Sequence, residues 1–131
     1  MISKYKIVRD YLLAISSGKK GDELEQFFDK SIVQVEYPNL LTKKLTKRNL
    51  QDIKEASIKG AKVLKKQQYE IVKHYECFNT IVIEAKWTGI LAVPIGDLGV
   101  GNKMEAHFAQ FYEFRGNKIA HLRNYDCFKH F

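Results

Sequence analysis

TIVIEAKWTGILA at residues 80–92, KMEAHFAQFYEF at 103–114 and KIAHLRNYDCF at 118–128 are three long runs rich in β-branched and aromatic residues. That is the composition of strands on a pleated, half-buried surface. Gly116-Asn117 separates the last two, a pair that tolerates positive φ and marks a hairpin. Residues 93–102 join the first two and carry Pro94, Gly96, Gly99 and Gly101. This segment reads either as an ordinary long hairpin loop or as a lid whose Val93, Ile95, Leu98 and Val100 fold over a pocket mouth. Three long strands ending on a short polar cluster form the frame of a curved, pocket-forming sheet.

Working outward, residues 4–16 place Ile7, Tyr11, Ala14 and Ile15 at helical spacing, and Ser17-Gly18 supplies a left-handed cap. A short second helix is predicted from Asp22, with Asp22 and Glu25 as a capping box and Leu24, Phe27 and Phe28 as its buried side. Residues 31–37 read as a strand stopped by Pro38. A helix over 46–65 follows, with Leu50, Ile53, Ser57, Ala61 and Leu64 on one face, and then a strand over 68–78. The order predicts one α+β domain over residues 1–131, with helices packed on one face of a mainly antiparallel sheet.

A chain of 131 residues that is 45% hydrophobic can bury a core, which excludes a disordered chain. No apolar run approaches the ~20 residues of a membrane span. Lys4, Lys6, Arg9 and Asp10 interrupt the N-terminal apolar stretch, so no signal peptide is read and a cytoplasmic location is expected. Cys77 and Cys127 lie far apart without a CxxC pair, which suggests neither a disulfide scaffold nor a zinc knuckle. His74, His121 and His130 share no ligand spacing, so no metal and no cofactor are expected. The net charge is +7, and nine Lys or Arg lie between Lys43 and Lys66. A solvated helix face accounts for them, and a nucleic-acid partner is not expected. Trp87, Tyr69, Tyr75 and Tyr112 read as sheet packing or dimer contacts rather than a base-stacking platform.

Three segments carry a resemblance. They are YLLAISSG at 11–18 followed by SIVQVEYP at 31–38, Trp87-Thr88-Gly89 with the glycine-rich loop and Gly101-Asn102-Lys103, and FRGNKI at 114–119. In order and spacing they resemble the SnoaL-like and ketosteroid-isomerase-like branch of the nuclear transport factor two (NTF2-like) superfamily. The last segment resembles the family's RFxDGKI turn, with Gly-Asn in place of Asp-Gly. The resemblance implies a cone in which a curved sheet wraps about three N-terminal helices around an internal pocket, often homodimeric through the outer sheet face. That scaffold hosts isomerases, cyclases, dehydratases, hydrolases and pure binding modules, so the site residues decide the function.

By the same resemblance, Tyr11 falls where ketosteroid isomerases place the tyrosine that donates to a developing enolate oxygen. Gln110 falls where they place a second donor. Tyr37 stands where they have the aspartate base, and a phenol with a pKa of about 10 is a poor base at neutral pH. Glu36 is adjacent, but alternation points it away from a cavity that Tyr37 faces. Steroid isomerisation is therefore not expected. SnoaL-like polyketide cyclases use a histidine on the penultimate strand, matched by His107, and an aspartate on the last, where this chain has Asn124. Asp126 lies two residues on and shares a strand face with Asn124 and Leu122. His107 and Gln110 have opposite parity and both face inward only across a bulge. Buried near His107 or a tyrosine, Asp126 would have a raised pKa; otherwise it bonds to backbone where the strand ends. Lys86 and Arg123 read either as anion partners at the pocket or as solvated strand residues.

The expected cavity is lined by Tyr11, Tyr37, Trp87, His107, Gln110, Leu122, Asn124 and Asp126, and holds a small, mostly apolar molecule bearing one or two oxygens. Asp126 or His107 would move a proton while Tyr11 and Gln110 stabilise the oxygen. The alternative is a non-catalytic ligand-binding or dimerisation module, favoured by Tyr37 and Asn124 standing where the relatives have acids.

Overall fold

In a computed structural model that describes residues 3–131, the first helix is α1, Lys4–Ser16. Ser3 caps it by accepting from the Lys6 amide, and Val8, Tyr11 and Leu12 are its buried side. Just beyond its end Gly18 takes φ +90°, the left-handed conformation that costs glycine nothing. The second helix differs from expectation. It is a 3₁₀ segment, Gly21–Phe27, and Phe28 already belongs to a strand. Glu23, not Glu25, makes the reciprocal cap, its carboxylate accepting from the Lys20 amide at 3.2 Å. Asp22 and Glu25 instead flank Lys54 of the next helix, each at 3.0 Å.

Strand β1 is Phe28–Glu36, and Thr46–Arg48, expected to open the long helix, form the short strand β2 antiparallel to it. Helix α2, Leu50–Val63, starts only after Asn49, which exchanges backbone-to-side-chain bonds with Asp52 in a capping box. Asparagine is among the best N-cap residues, and this local chemistry sets the boundary. Strand β3, Leu64–Cys77, follows without a loop, and β4 (Thr80–Leu91), β5 (Lys103–Arg115) and β6 (Lys118–Phe128) complete the chain.

The six strands form one mixed sheet in the order β2-β1-β6-β5-β4-β3. The single parallel pair, β1 with β6, brings the first strand beside the last and sets Gln34 opposite Leu122 and Glu36 opposite Asn124. This is the α+β arrangement expected, with helices on one face. Val8, Tyr11 and Leu12 of α1, Leu24 and Ile53 pack there against Ile81, Ile83, Tyr112, Ile119 and Leu122. Each such large apolar side chain contributes about 1.5–3 kcal/mol by leaving water.

A second apolar cluster, Trp87, Leu91, Met104, Ala106 and Phe108, lies along the sheet and is covered by Ile95, Leu98, Phe128 and Phe131. This decides between the two readings of residues 93–102. Ile95 and Leu98 bridge each other and pack half-buried on that cluster, Val93 and Val100 are exposed, and Gly101 donates to the Leu91 carbonyl at 2.8 Å. The segment is a packed hairpin connection. Among the described residues no helix is long and apolar enough to cross a membrane.

Candidate functional site

Strand parity distributes the candidate residues. Along β5 every even position from Met104 to Phe114 is buried, so Gln110 faces the helices, whereas His107 is exposed. The pairing of β5 with β4 and β6 runs without a break from His107 to Gln110, and the bulge that would turn both inward is absent. His107 therefore stands on the outer face opposite Lys86, itself exposed. Neither enters the cavity. Arg123 is also on the outer face, paired with Glu113 and 5.2 Å above the Phe111 ring.

The first strand is reversed relative to expectation. Tyr37 lies outside, stacked on Tyr125 with ring centroids 4.5 Å apart, and its hydrogen bond with Tyr125 pushes the phenol's pKa up. Glu36 is the residue that turns inward, because Ile32, Gln34 and Glu36 share the core parity in register with Leu122 and Asn124. Its carboxylate accepts from Arg48 Nη1 at 2.8 Å and from Asn39 Nδ2 at 2.9 Å. Burial raises the Glu36 pKa, but the bonds from Asn39, Arg48 and Thr42 and the Arg48 charge outweigh it and hold the group below its ordinary range.

A cavity of about 580 Å³ opens between the end of α1, helix α2 and strands β1 to β3. Tyr11, Leu24 and Ile53 give it an apolar wall, Gln34, Glu36, Arg48, Gln67 and Tyr69 a polar one, and Lys19, Lys20, Lys65 and Lys66 also line it. Of the eight residues expected in its lining, Tyr11 is present. Trp87, Gln110, Leu122, Asn124 and Asp126 lie in the adjoining layer of the sheet and do not line it. Their polar groups are largely satisfied there. Gln34 Nε2 donates to Asn124 Oδ1 at 2.8 Å, Trp87 Nε1 to Gln67 Oε1 at 3.0 Å, and the Tyr112 hydroxyl to Gln110 Oε1 at 2.5 Å.

Asp126 is the exception. Opposite Phe108 in the β5–β6 pairing, it is half-buried, and its Oδ1 is buried without a hydrogen-bond partner. Burial, aided by the Glu36 charge and opposed by Arg48, raises its pKa to about 7. It also acts on Tyr69 and on Tyr112, whose phenols are held strongly neutral, chiefly by burial. Glu36, Arg48 and Tyr69, which share a field with Asp126, all line the cavity. Tyr11 is likewise kept protonated by burial and sits edge-on to Tyr112 with centroids 6.3 Å apart. The arrangement therefore combines a carboxyl poised between its two protonation states with neutral phenol hydroxyls that keep a proton to donate to an oxygen.

With this geometry in hand, the comparisons with known proteins locate the fold. A SnoaL-like polyketide cyclase from Agrobacterium tumefaciens superposes with a TM-score of 0.72 at 16% identity, covering 96% of this chain and 92% of the other. A Catenulispora acidiphila protein with a ketosteroid-isomerase-like fold, solved with trimethylamine, gives 0.73 at 17% identity over 92% and 84%. The fold is NTF2-like. An NTF2-like protein from Burkholderia thailandensis gives 0.73 at 13% identity over 96% and 92%. No family model and no curated protein matches the sequence. At these identities the NTF2-like likeness is one of fold alone.

Several cavity residues are not legible in the sequence, among them Glu36, which alternation from Tyr37 points outward, Arg48, which falls in the expected helix over 46–65, and Tyr69, which reads as sheet packing or a dimer contact. The alternation Gln67, Tyr69, Ile71 in β3 was the available signal for Tyr69. No local pattern announces Arg48, because a three-residue strand is too short to show a period.

Proposed function

We propose that this NTF2-like protein is an acid/base enzyme of the isomerase, cyclase or lyase kind, acting on a small, mostly apolar molecule that bears an oxygen. One observation carries the reading: Asp126, a half-buried carboxyl with an unpartnered oxygen and a pKa near neutrality, is electrostatically coupled to Glu36, Arg48 and Tyr69, which line the cavity. A group titrating near the working pH is both a competent base and, once protonated, a competent acid. In this reading Asp126 takes a proton from carbon beside a carbonyl and returns it elsewhere. The neutral hydroxyl of Tyr11 donates to the oxygen on which charge develops, a role that burial prepares by suppressing phenolate. His107 has no part in it, being on the opposite face of the sheet.

A test that requires no prior substrate is deuterium incorporation next to the carbonyl of a panel of small cyclic ketones in D₂O, followed by NMR. Catalysed exchange is expected, and Asp126→Asn is expected to reduce it by about 10²- to 10⁴-fold, the usual contribution of a positioned acid or base. Exchange that survives Asp126→Asn removes Asp126 from the mechanism.

A second reading, a module that binds without catalysis, is favoured by a specific observation: Gln110, Asn124 and Trp87 bond to Tyr112, Gln34 and Gln67 instead of facing the cavity. Ligand binding without exchange across the panel selects it.

A further inference from the structure

The cavity lining is cationic beyond anything its interior requires. Lys19, Lys20, Arg48, Lys65 and Lys66 line it against one carboxylate, Glu36. Arg48 and Glu36 neutralise each other at 2.8 Å, and Lys19 reaches Glu23 at 3.5 Å. Among the described residues Lys20, Lys65 and Lys66 have no ion-pair partner. Acids are present close by, since Asp22 and Glu25 both flank Lys54, but none is directed to these three.

Backbone irregularity puts two of them there. The β3–β4 register shifts between Leu64 and Lys66, and the consecutive residues Leu64, Lys65, Lys66 and Gln67 all line the cavity. A regular strand would have turned every second one away. Lys20 arrives from a separate segment, the connector after α1, where Glu23 holds its amide. Unpaired like charges gathered at one concave surface repel each other and raise the local potential, which favours an anion entering between them. Behind them the wall is apolar.

We infer that the cavity takes an organic anion, with an apolar, oxygen-bearing body against Tyr11, Leu24 and Ile53 and a carboxylate, sulfonate or similar acidic group held by Lys20, Lys65 and Lys66. The inference rests on reading the cavity as the ligand site and adds the ligand's charge. A flat basic stripe would suit a polymer; cations lining a half-open concavity of about 580 Å³ suit a small molecule.

The test uses two fluorescent probes with one aromatic body, 8-anilinonaphthalene-1-sulfonate and its uncharged counterpart N-phenyl-1-naphthylamine, titrated at low salt. The sulfonate is expected to bind about tenfold tighter or more. The double variant Lys65→Gln/Lys66→Gln is expected to weaken it by about five- to tenfold and to change the neutral probe by less than about twofold. Lys59→Gln/Lys62→Gln removes the same charge from exposed positions of α2 outside the lining, and is expected to leave both probes within about twofold. Equal affinity for the two probes, or equal weakening by the two double variants, overturns the inference while the cavity stands as a ligand site. Failure of both probes to bind overturns the inference together with the cavity reading. The deuterium-exchange result on Asp126 is independent of either.

Discussion

Two carboxyl groups on the inner side of the sheet have opposite environments. At the β1 margin Glu36 accepts from Arg48 and Asn39 and is held ionised; on β6 Asp126 has an oxygen with no partner and is pushed to a pKa of about 7. Both are substantially buried, so burial alone does not separate them. Partners do: desolvation is the first effect on each, and only at Glu36 is it overcome by donors. The carboxyl that lines the cavity is thus saturated by donors, whereas the one in the adjoining layer of the sheet keeps an unsatisfied oxygen, a perturbed group of the kind found at functional sites.

The strongest way to break the contrast is Arg48→Ala. It leaves Glu36 without its guanidinium in a setting where both side chains are largely covered, and is expected to cost about 2–4 kcal/mol in urea unfolding at pH 7. Because Arg48 also lowers the Asp126 pKa, the same variant should raise it further, readable by carbon NMR of the carboxyl. A loss below about 0.5 kcal/mol, the range of an ordinary surface change, would show that the pair is solvent-screened and that the two regions do not differ as described.

Asp126→Asn acts in the opposite direction. The folded pKa lies above the unfolded one, so the folded state holds the proton between about pH 4 and pH 7. The wild type therefore loses stability through this group as pH rises across that window, with no further loss above it. The variant has no proton to lose, and at pH 8 it is expected to be more stable than wild type by up to about 4 kcal/mol, the difference shrinking toward zero near pH 4. Glu36 contributes with the other sign, its stability being lost as pH falls below the ordinary carboxylate range. Parallel pH–stability curves for wild type and Asp126→Asn would refute the raised pKa.

Asn39→Ala probes the saturated margin more gently. Asn39 donates to Glu36 and to the Tyr37 carbonyl, and accepts from the amides of Leu41 and Thr42 at 2.9 and 2.8 Å, so it organises the turn that follows β1. Its loss is expected to cost about 1–2 kcal/mol by thermal unfolding and to raise the Glu36 pKa. An unchanged melting curve would assign the turn to Pro38 alone.

The sequence carried most of the fold because its signals were local and regular. The spacing of α1, the three C-terminal strands and the Gly116 turn, where φ is +60°, all follow from the chain's own pattern. What it concealed was decided by irregularities. Thr46–Arg48 pairs with β1 for three residues, too few to show a period. The β1–β6 register slips between Phe28 and Val33, and beyond it Gln34 and Glu36 pair with Leu122 and Asn124, so the family position that points Tyr37 into the cavity does not hold here. The slip before Lys66 similarly brought two adjacent lysines to one surface. His107 was different. Met104, Ala106, Phe108, Tyr112 and Phe114 already marked the even positions of β5 as the core face, and alternation alone placed His107 outside. There the family resemblance outweighed a local pattern that was correct.

His107→Ala is accordingly the control with the smallest expected effect. The imidazole is exposed on the outer face, opposite Lys86 and with no hydrogen bond among the described residues. The substitution should change stability by no more than about 0.5 kcal/mol in either direction, the range of surface changes away from special features. It should also leave the Asp126 titration where it is, because the sheet itself separates the two groups. A shift in the Asp126 midpoint, or loss of deuterium exchange in this variant, would mean that His107 communicates with the cavity. The comparison of Asp126 with Glu36 would then have to include a third group.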